Sequence, residues 1–585
     1  MRTLATLSCL VFVVMIAAAI ALPIAARAAT PTTLREIAAG EAPQAVPAAV
    51  DPPARGWPQA VREIVATPIF ADLDRDGTHE IIVLDDYYAY VFSAGGVLWT
   101  GWPVVTRGCQ QHAAVADIDG DQIDEIIFGS NLPTALLRVY DPHGQPKPGW
   151  PVAIPFGTIT NLTCPVVVDL DGDGALEIGI AGELGVFFYR ADGTPQPGWP
   201  YTWPVPINNP QWSAPAVGDI DHDGSLEVVV GNANYPNWGV HVMRADGTSM
   251  PGWPIVINPV FSSSALADLD GDGDLEIIVQ EGDPGSLGYR LWVWHHTGTP
   301  MTGWPRTIAA DGHASRCGPA VADVDGNGQL EIVTATCDGR LHVFRVDGTE
   351  YPGFPIATGA PDYSIISSPS VIDMDQDGLQ EMFLTYWLAN HQYLSAWRLD
   401  GSVLAGFPKE IHSSTDLNAH ASQHLLDLEG DGDLDLVTAG SSMNAGLIWV
   451  FQVDGSSFDP ATSAGDWPKP RRDMVNTGRY PVGDPAGIAG DARRAFDGLR
   501  LAPNMVRRGD LMTLETPAGL TGLIEVWDLA GRRIAASTLA AAGDRATVRA
   551  CELFRPAAGN GVFLLRWTPA GGAPARATRM LVLGD

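Results

Sequence analysis

Short apolar runs separated by polar turns occupy most of the chain, and one arrangement of them keeps returning. In its clearest copy, a small-residue and apolar run (SAPAVGDI, 213–220) leads into an acidic turn. A second apolar run follows (LEVVVGN, 226–232), then an alternating one (GVHVMRADGT, 239–248) that ends in Asp-Gly. The same order returns around GPAVADV (318–324) with RLHVFRVDGT (340–349), and around SPSVIDM (368–374) with LSAWRLDGS (394–402). Runs of this length bounded by turn signals read as strands, and Asp-Gly between two of them favours a tight hairpin. Each period closes on Gly-Trp-Pro or Gly-Phe-Pro, at Trp102, Trp150, Trp199, Trp253, Trp304, Phe354 and Phe407, with Asp466-Trp467-Pro468 as the eighth. Four short strands per period predict one blade of a β-propeller, and the closing aromatic is expected to pack between neighbouring blades.

The acidic turn carries the chemistry. Nonapeptides of the form D-x-D-x-D-G-x-x-E begin at Asp72, Asp117, Asp169, Asp219, Asp268, Asp323, Asp373 and Asp427, eight copies with a mean period of about 51 residues. Four carboxylates in nine residues repel one another unless a cation sits among them. The spacing matches the oxygen ligands at positions 1, 3 and 5 of a calcium loop, with glycine at 6 for the sharp turn. Here the loop closes on an acid at position 9, and its flanks are β-like, which excludes the helical version of that motif. The ligand sets are Asp72, Asp74, Asp76 and Glu80; Asp117, Asp119, Asp121 and Glu125; Asp169, Asp171, Asp173 and Glu177; and Asp219, Asp221, Asp223 and Glu227. The other four are Asp268, Asp270, Asp272 and Glu276; Asp323, Asp325, Asn327 and Glu331; Asp373, Asp375, Asp377 and Glu381; and Asp427, Glu429, Asp431 and Asp435. Up to eight Ca2+ ions are expected. Blades 2, 6 and 8 are the weak candidates, because Gln122 replaces the loop glycine, Asn327 an aspartate, and Glu429 and Asp435 the usual acids.

These loops and their flanking strands resemble the FG-GAP/VCBS repeats of integrin-α-like propellers, over roughly residues 56–480. The resemblance implies an all-β, calcium-stabilised propeller whose metal loops link the first and second strands of each blade. Eight blades are favoured, and seven, the integrin number, is the alternative. A further Gly56-Trp57-Pro58 stands ahead of the eight periods, and a spare strand there is what ring closure needs if the first and last blades share strands.

Composition and charge sharpen the picture. Net charge is −33 with 46% hydrophobic residues, so the chain is not a disordered acidic tail. The ligand positions of the eight loops hold 31 of the 68 acidic groups, and eight divalent ions would neutralise about half of the excess. No concentrated Lys/Arg patch is visible, which argues against nucleic acid as a partner. Residues 1–29 have a basic start, a long apolar stretch and the small-residue exit Ala26-Arg27-Ala28, the pattern of a secretory signal peptide cleaved after Ala28 or Ala29. The apolar stretch is also long enough for an uncleaved anchor. No later segment is apolar enough to span a membrane, and the expected location is secreted or cell-surface. Of the remaining cysteines (Cys109, Cys164, Cys317, Cys337, Cys551), Cys317 and Cys337 lie symmetrically about Asn327, and a hairpin there would set them opposite each other for a disulfide.

Residues 30–55 are Ala/Pro-rich and read as a linker, as does 481–494. From 495 to 585 the chain alternates as short strands, a pattern expected of a small Ig-like β-sandwich. Its LAPNMVRRGD, IEVWDLAGRRIA and GVFLLRWTPAGGAPARATRMLVL stretches resemble the Ig-like C-terminal domain of type IX secretion sorting signals and FlgD-like modules. That resemblance implies surface attachment or passage across an outer membrane. Arg508-Gly509-Asp510 spells an integrin-recognition tripeptide but lies in a turn before a strand and is read as incidental. His295 and His296 should face opposite ways, and His112, His313, His420 and His424 precede calcium loops near innermost strands as rim or core residues. No catalytic residues are assigned. A non-enzymatic adhesion or ligand-binding module for a protein or glycan is the favoured function. A calcium-dependent polysaccharide lyase and an architectural surface component are the alternatives.

Overall fold

The computed structural model describes residues 56–453, except 62–65, 110, 156–161, 205–212, 234–237, 283–288, 310–316, 360–366, 375–376, 414–421, 430–432 and 443–444, together with strand backbones between 500 and 583. Outside the described residues lie the expected signal peptide, both linkers, Asp375, Asp431, His313, His420, Cys551, Asp466-Trp467-Pro468 and Arg508-Gly509-Asp510. Strand is the regular structure throughout the described residues. No helix among them is long and apolar enough to cross a membrane.

The strands form eight antiparallel blades. The first is built from Ile69–Ala71, Glu80–Leu84, Tyr88–Phe92 and Val104–Val105, side by side in chain order. The next six repeat that order, except that in the fourth blade a single bridge from Ile255 to Val240 stands in for the outer strand. The eighth takes His424–Leu426, Leu434–Ser442 and Ala445–Val453, and then Gln59–Val61 from the other end of the propeller, paired Gln59 to Ile448. The expected N-terminal strand thus closes the ring, with Gly56-Trp57-Pro58 serving the last blade, and eight blades rather than seven make the circle. From the second blade onward each innermost strand touches the next, and His424–Leu426 touches Ile69–Ala71.

The small polar residues before the innermost strands serve this inner ring. Their hydroxyls accept backbone N–H groups across blade junctions: Ala214 N–H to Ser263 Oγ (3.1 Å), Gly318 N–H to Ser368 Oγ (2.8 Å), Ser368 N–H to Ser422 Oγ (3.0 Å), and at the closure Ser422 N–H to Thr67 Oγ1 (3.1 Å). Second strands are buried along their whole length, as in Glu80–Leu84 and Glu227–Asn232, because both faces meet neighbouring blades. That is why they read as continuous apolar runs, whereas third strands such as Tyr88–Phe92 and Leu136–Tyr140 alternate buried with half-buried positions. Each core cluster draws on adjacent blades: Ile69, Ile82 and Val91 of the first pack with Val115, Ile126 and Phe128 of the second around Trp102.

The tryptophan of each Gly-Trp-Pro clips its blade to the next. Its indole N–H donates to a backbone carbonyl at the hairpin turn of the following blade: Trp57 to Ala94, Trp102 to Pro142, Trp150 to Ala191, Trp199 to Ala245, Trp253 to His296 and Trp304 to Val346, all at 2.8–2.9 Å. The preceding glycine lies hard against that turn. A Cβ on Gly198 would sit 2.1 Å from the Asp246 carbonyl oxygen, whereas one on Gly353, ahead of Phe354, would meet nothing within 4 Å. The expected packing role of these aromatics between blades is met, with a polar anchor added where the residue is tryptophan.

The four described cysteines are buried thiols, and the Cys317–Cys337 disulfide does not form. Ala320 pairs with Val333, so the same register carried back three places sets Cys317 level with Thr336, one position out of step with Cys337. In the tail, Arg500–Ala502, Leu511–Glu515 and Arg545–Arg549 make a three-stranded sheet. Met505–Arg507, Thr521–Asp528, Arg533–Ala540, Gly561–Pro569 and Arg576–Leu583 make a five-stranded one, in which Met505–Arg507 runs parallel to Arg576–Leu583.

The close approach at the tryptophan clips yields a paired test. Gly198→Ala and Gly353→Ala both place a side chain at positive φ, +88° and +96°, which costs about 1–2 kcal/mol. Only the first also drives a methyl into backbone, adding an overpacking cost of about 1–3 kcal/mol. Chemical unfolding should therefore rank G198A clearly below G353A.

Candidate metal centres

Every acidic nonapeptide connects the first and second strands of its blade, and the acid at position 9 sits at the start of the second strand, buried. Its fixed partner is the backbone N–H of position 2, whose own side chain is an aliphatic turned into the core. The bonds are Leu73 to Glu80 Oε2 (3.0 Å), Ile118 to Glu125 (3.0 Å), Leu170 to Glu177 (2.9 Å) and Ile220 to Glu227 (3.2 Å). Leu269 to Glu276 (2.8 Å), Val324 to Glu331 (3.0 Å), Met374 to Glu381 (3.0 Å) and Leu428 to Asp435 Oδ2 (2.8 Å) complete the set. In the last blade the shorter Asp435 keeps the same bond.

The other acids shape the turn. Position 1 accepts the N–H of position 6, as in Gly77 to Asp72 (3.1 Å) and Gly224 to Asp219 (3.0 Å). Position 5 accepts the N–H of position 7, as in Ser225 to Asp223 (2.8 Å), and Asn327 does the same for Gln329 (2.8 Å), so that substitution leaves the turn intact. The position-6 residue adopts positive φ, +89° at Gly224, and Gln122 is held there at +71°. Neighbouring loops are joined: position 8 donates to the position-2 carbonyl of the preceding blade in His79 to Leu428 (2.9 Å), Leu275 to Ile220 (3.1 Å) and Gln380 to Val324 (3.1 Å).

Side-chain ligand atoms, carboxylate oxygens and in one blade a histidine nitrogen, converge within 4.8 Å of one another. Such groups are Asp72, Asp74 and Glu80; Asp117, Asp119 and Glu125; Asp169, Asp171 and Glu177; Asp219, Asp221 and Glu227; and Asp270, Glu276 and His295. Asp72 Oδ1, Asp169 Oδ1 and Asp221 Oδ1 are buried without any hydrogen-bond donor. An orphaned buried carboxylate oxygen beside two more carboxylates fits a hard cation that takes oxygen ligands, since the alternative leaves like charges desolvated together. Burial first, with the loop aspartates' charges adding to it, pushes Glu80, Glu125, Glu177 and Glu331 up to about 7 and Glu227 up to about 8. Burial likewise takes Glu276 up to about 7 against the pull of His295.

Two positions that sequence reasoning passed over reach these loops. One is the residue three places before the Gly-Trp/Phe-Pro aromatic: Gln196 Nε2 donates to Asp171 Oδ2 (2.6 Å), Tyr351 to Asp325 Oδ2 (3.2 Å), and Lys147 lies among the acids of the second blade. The other is the end of the third strand, where His295 Nδ1 meets Glu276 Oε1 (3.0 Å) and Arg398 comes within 3.9 Å of Glu381. His296 does turn the other way, to Asp274 (2.9 Å). Of the rim histidines within the described residues, His424 is buried against the Phe70 ring, 4.5 Å between centroids, and His112 is also buried.

The FG-GAP-like repeat model matches residues 169–230, 268–334 and 323–384, and the chain carries FG-GAP-like repeats there. No curated protein matches the sequence. Among solved structures, the V. cholerae biofilm matrix protein Bap1 is similar at 15% identity and a TM-score of 0.49, covering 72% of this chain and 93% of that one. A Bacillus licheniformis rhamnogalacturonan lyase is similar at 16% identity and 0.46, covering 72% and 78%. PorZ, a surface component of the type IX secretion system of Porphyromonas gingivalis, stands at 13% and 0.28, covering 86% and 69%.

The raised glutamates set a pH dependence. A carboxyl group with a folded-state pKa above its unfolded value stabilises the fold while protonated and loses that contribution as pH rises through the folded value. Protein stripped of metal should therefore melt progressively lower between about pH 4.5 and pH 8, the window from the unfolded value to those of the buried glutamates. A divalent ion that binds the ionised form should flatten or reverse that slope. A metal-free melt that rises across this window would contradict the assignment.

Proposed function

We propose that this eight-bladed propeller of FG-GAP-like repeats is an exported, non-enzymatic recognition module, stiffened by Ca2+ in its acid loops and binding a protein or glycan at the opposite end of the ring. Two features support this reading. The acids from which catalytic pairs would be drawn are engaged in backbone bonds and gathered at one end, where the first-to-second strand turns and the hairpin turns lie. At the other end, between the first two blades, Tyr87 is 39% exposed and Leu132 56% exposed, with the Arg107 guanidinium 5.9 Å from the Tyr87 ring centre. These residues are held in place by Thr106 N–H to Tyr87 O (2.8 Å) and, across the junction, by Leu132 N–H to Arg107 O (3.3 Å). That patch carries the proposal: an aromatic face, a guanidinium and an aliphatic on fixed backbone suit a sugar ring or a protein side chain. Export through the N-terminal segment supplies millimolar calcium, which matches weak extracellular sites.

The test is a screen of glycans and surface proteins with the metal-loaded protein, followed by Tyr87→Ala and Arg107→Ala. Each variant should weaken the hit at least tenfold without changing the melt, and binding untouched by both would reject this patch. Release of unsaturated product from uronate polysaccharides would instead establish a lyase. Calcium at ten times its dissociation constant adds about 1.4 kcal/mol per site, so chelation should lower the melting temperature sharply. An unchanged melt would remove calcium from the account.

A further inference from the structure

The second blade departs from the others at the point where a cation belongs. Lys147 Nζ lies 2.7 Å from Asp119 Oδ2, 2.8 Å from Glu125 Oε1 and 3.5 Å from Asp121 Oδ2, with its side chain 15% exposed. We propose that Lys147 is a resident cation: its ammonium occupies the metal position of the second loop and locks that blade without calcium.

The backbone fixes the equivalence of the position. Lys147 N–H donates to the Val139 carbonyl (3.0 Å), as Trp99, Gln196, Met250, Met301, Tyr351 and Leu404 donate to the same place in their own blades. None of those six is a cation. From this site the side chain reaches back over the acid loop. Lysine suits the task because its charge is compact and its three donors rotate freely, so it meets converging oxygens much as an ion does. A calcium ion needs those same oxygens at about 2.3–2.6 Å, so ion and ammonium cannot share them. In blades 1, 3 and 4 a buried aspartate oxygen is left without a donor, whereas the second loop, like the fifth and sixth, has no carboxylate in that condition. Gln122, where the other blades have glycine, is a second mark of a loop built to a different rule. Apart from Lys147 the chain has two lysines, Lys409 and Lys469, against 32 arginines, so the placement is not a by-product of a lysine-rich surface.

Scarcity of lysine also makes the test clean. The full chain is stripped of metal, treated with an acetylating reagent with and without millimolar calcium, and read by peptide mass spectrometry. Lys147 should stay protected in both states, and labelling that rises when calcium is added would show the ion displacing it and overturn the proposal. The variant Lys147→Met carries the residue found in blades 4 and 5. By elemental analysis it should hold one more calcium than the wild type, and equal uptake in a protein whose other loops fill overturns the idea. In chelator the variant should melt several degrees below the wild type and recover when calcium is supplied, while equal melting in chelator also overturns it. This last arm is independent of the calcium reading above, which fails separately if the wild type takes up no ion at any loop.

Discussion

A buried carboxylate at the foot of each second strand is the constraint on which the propeller turns. It is taken out of water, beside the other acids of its loop, and one of its oxygens is used by the N–H of loop position 2. The bond recurs in all eight blades and fixes where the first strand stops and the second begins. The remaining oxygens face their like-charged neighbours, and in blades 1, 3 and 4 some accept nothing. Desolvated like charges are costly, so the loops call for positive charge. Backbone bonds also join loop to loop, from His79 to Leu428, Leu275 to Ile220 and Gln380 to Val324.

The blades share a plan without being copies. Six junctions are fastened by an indole N–H, and their glycines leave no room for a side chain, a Cβ falling 2.1 Å from a backbone oxygen at five of them and 2.7 Å at Gly252. The junctions at Phe354 and Phe407 lack the indole donor, and a Cβ on Gly353 or Gly406 would meet nothing within 4 Å among the described residues. The blade 5–6 seam, besides its indole clip, and the 7–8 seam carry buried amides. Gln280 joins Thr334 and the Ala335 carbonyl, and Gln423 joins Ser370, Thr385 and the Phe383 carbonyl. A fully bonded buried amide adds specificity to an interface that apolar contacts alone leave free to slide.

Much of this was legible in the chain. Strand order, the acid loops between first and second strands, the aromatic between blades and the N-terminal closing strand all follow from periodicity and turn chemistry, which act locally and repeat. What escaped was set by side chains that reach across a blade. Lys147 is separated from Glu125 by two strands, and nothing in the D-x-D-x-D pattern refers to the slot ahead of Gly-Trp-Pro. The clue was present as a column of otherwise uncharged residues with one lysine in it. The expected disulfide failed for a related reason: symmetry about Asn327 in sequence is not register in the sheet, and a shift of one residue turns a side chain to the other face. The proposed loss of metal in the second blade agrees with the weakness expected from Gln122, but the cause lies elsewhere.

The strand Gln59–Val61 belongs to the eighth blade and is the first described strand to leave the ribosome. Chains fold broadly from the N-terminus as they emerge, yet this segment has no partner until Ala445–Val453 arrives, nearly four hundred residues later. Its edge stays open through the making of seven blades, and contacts of such long range are slow to form. The circle is therefore completed by its oldest piece, in a single late event that turns a row of stacked sheets into a body with no loose end.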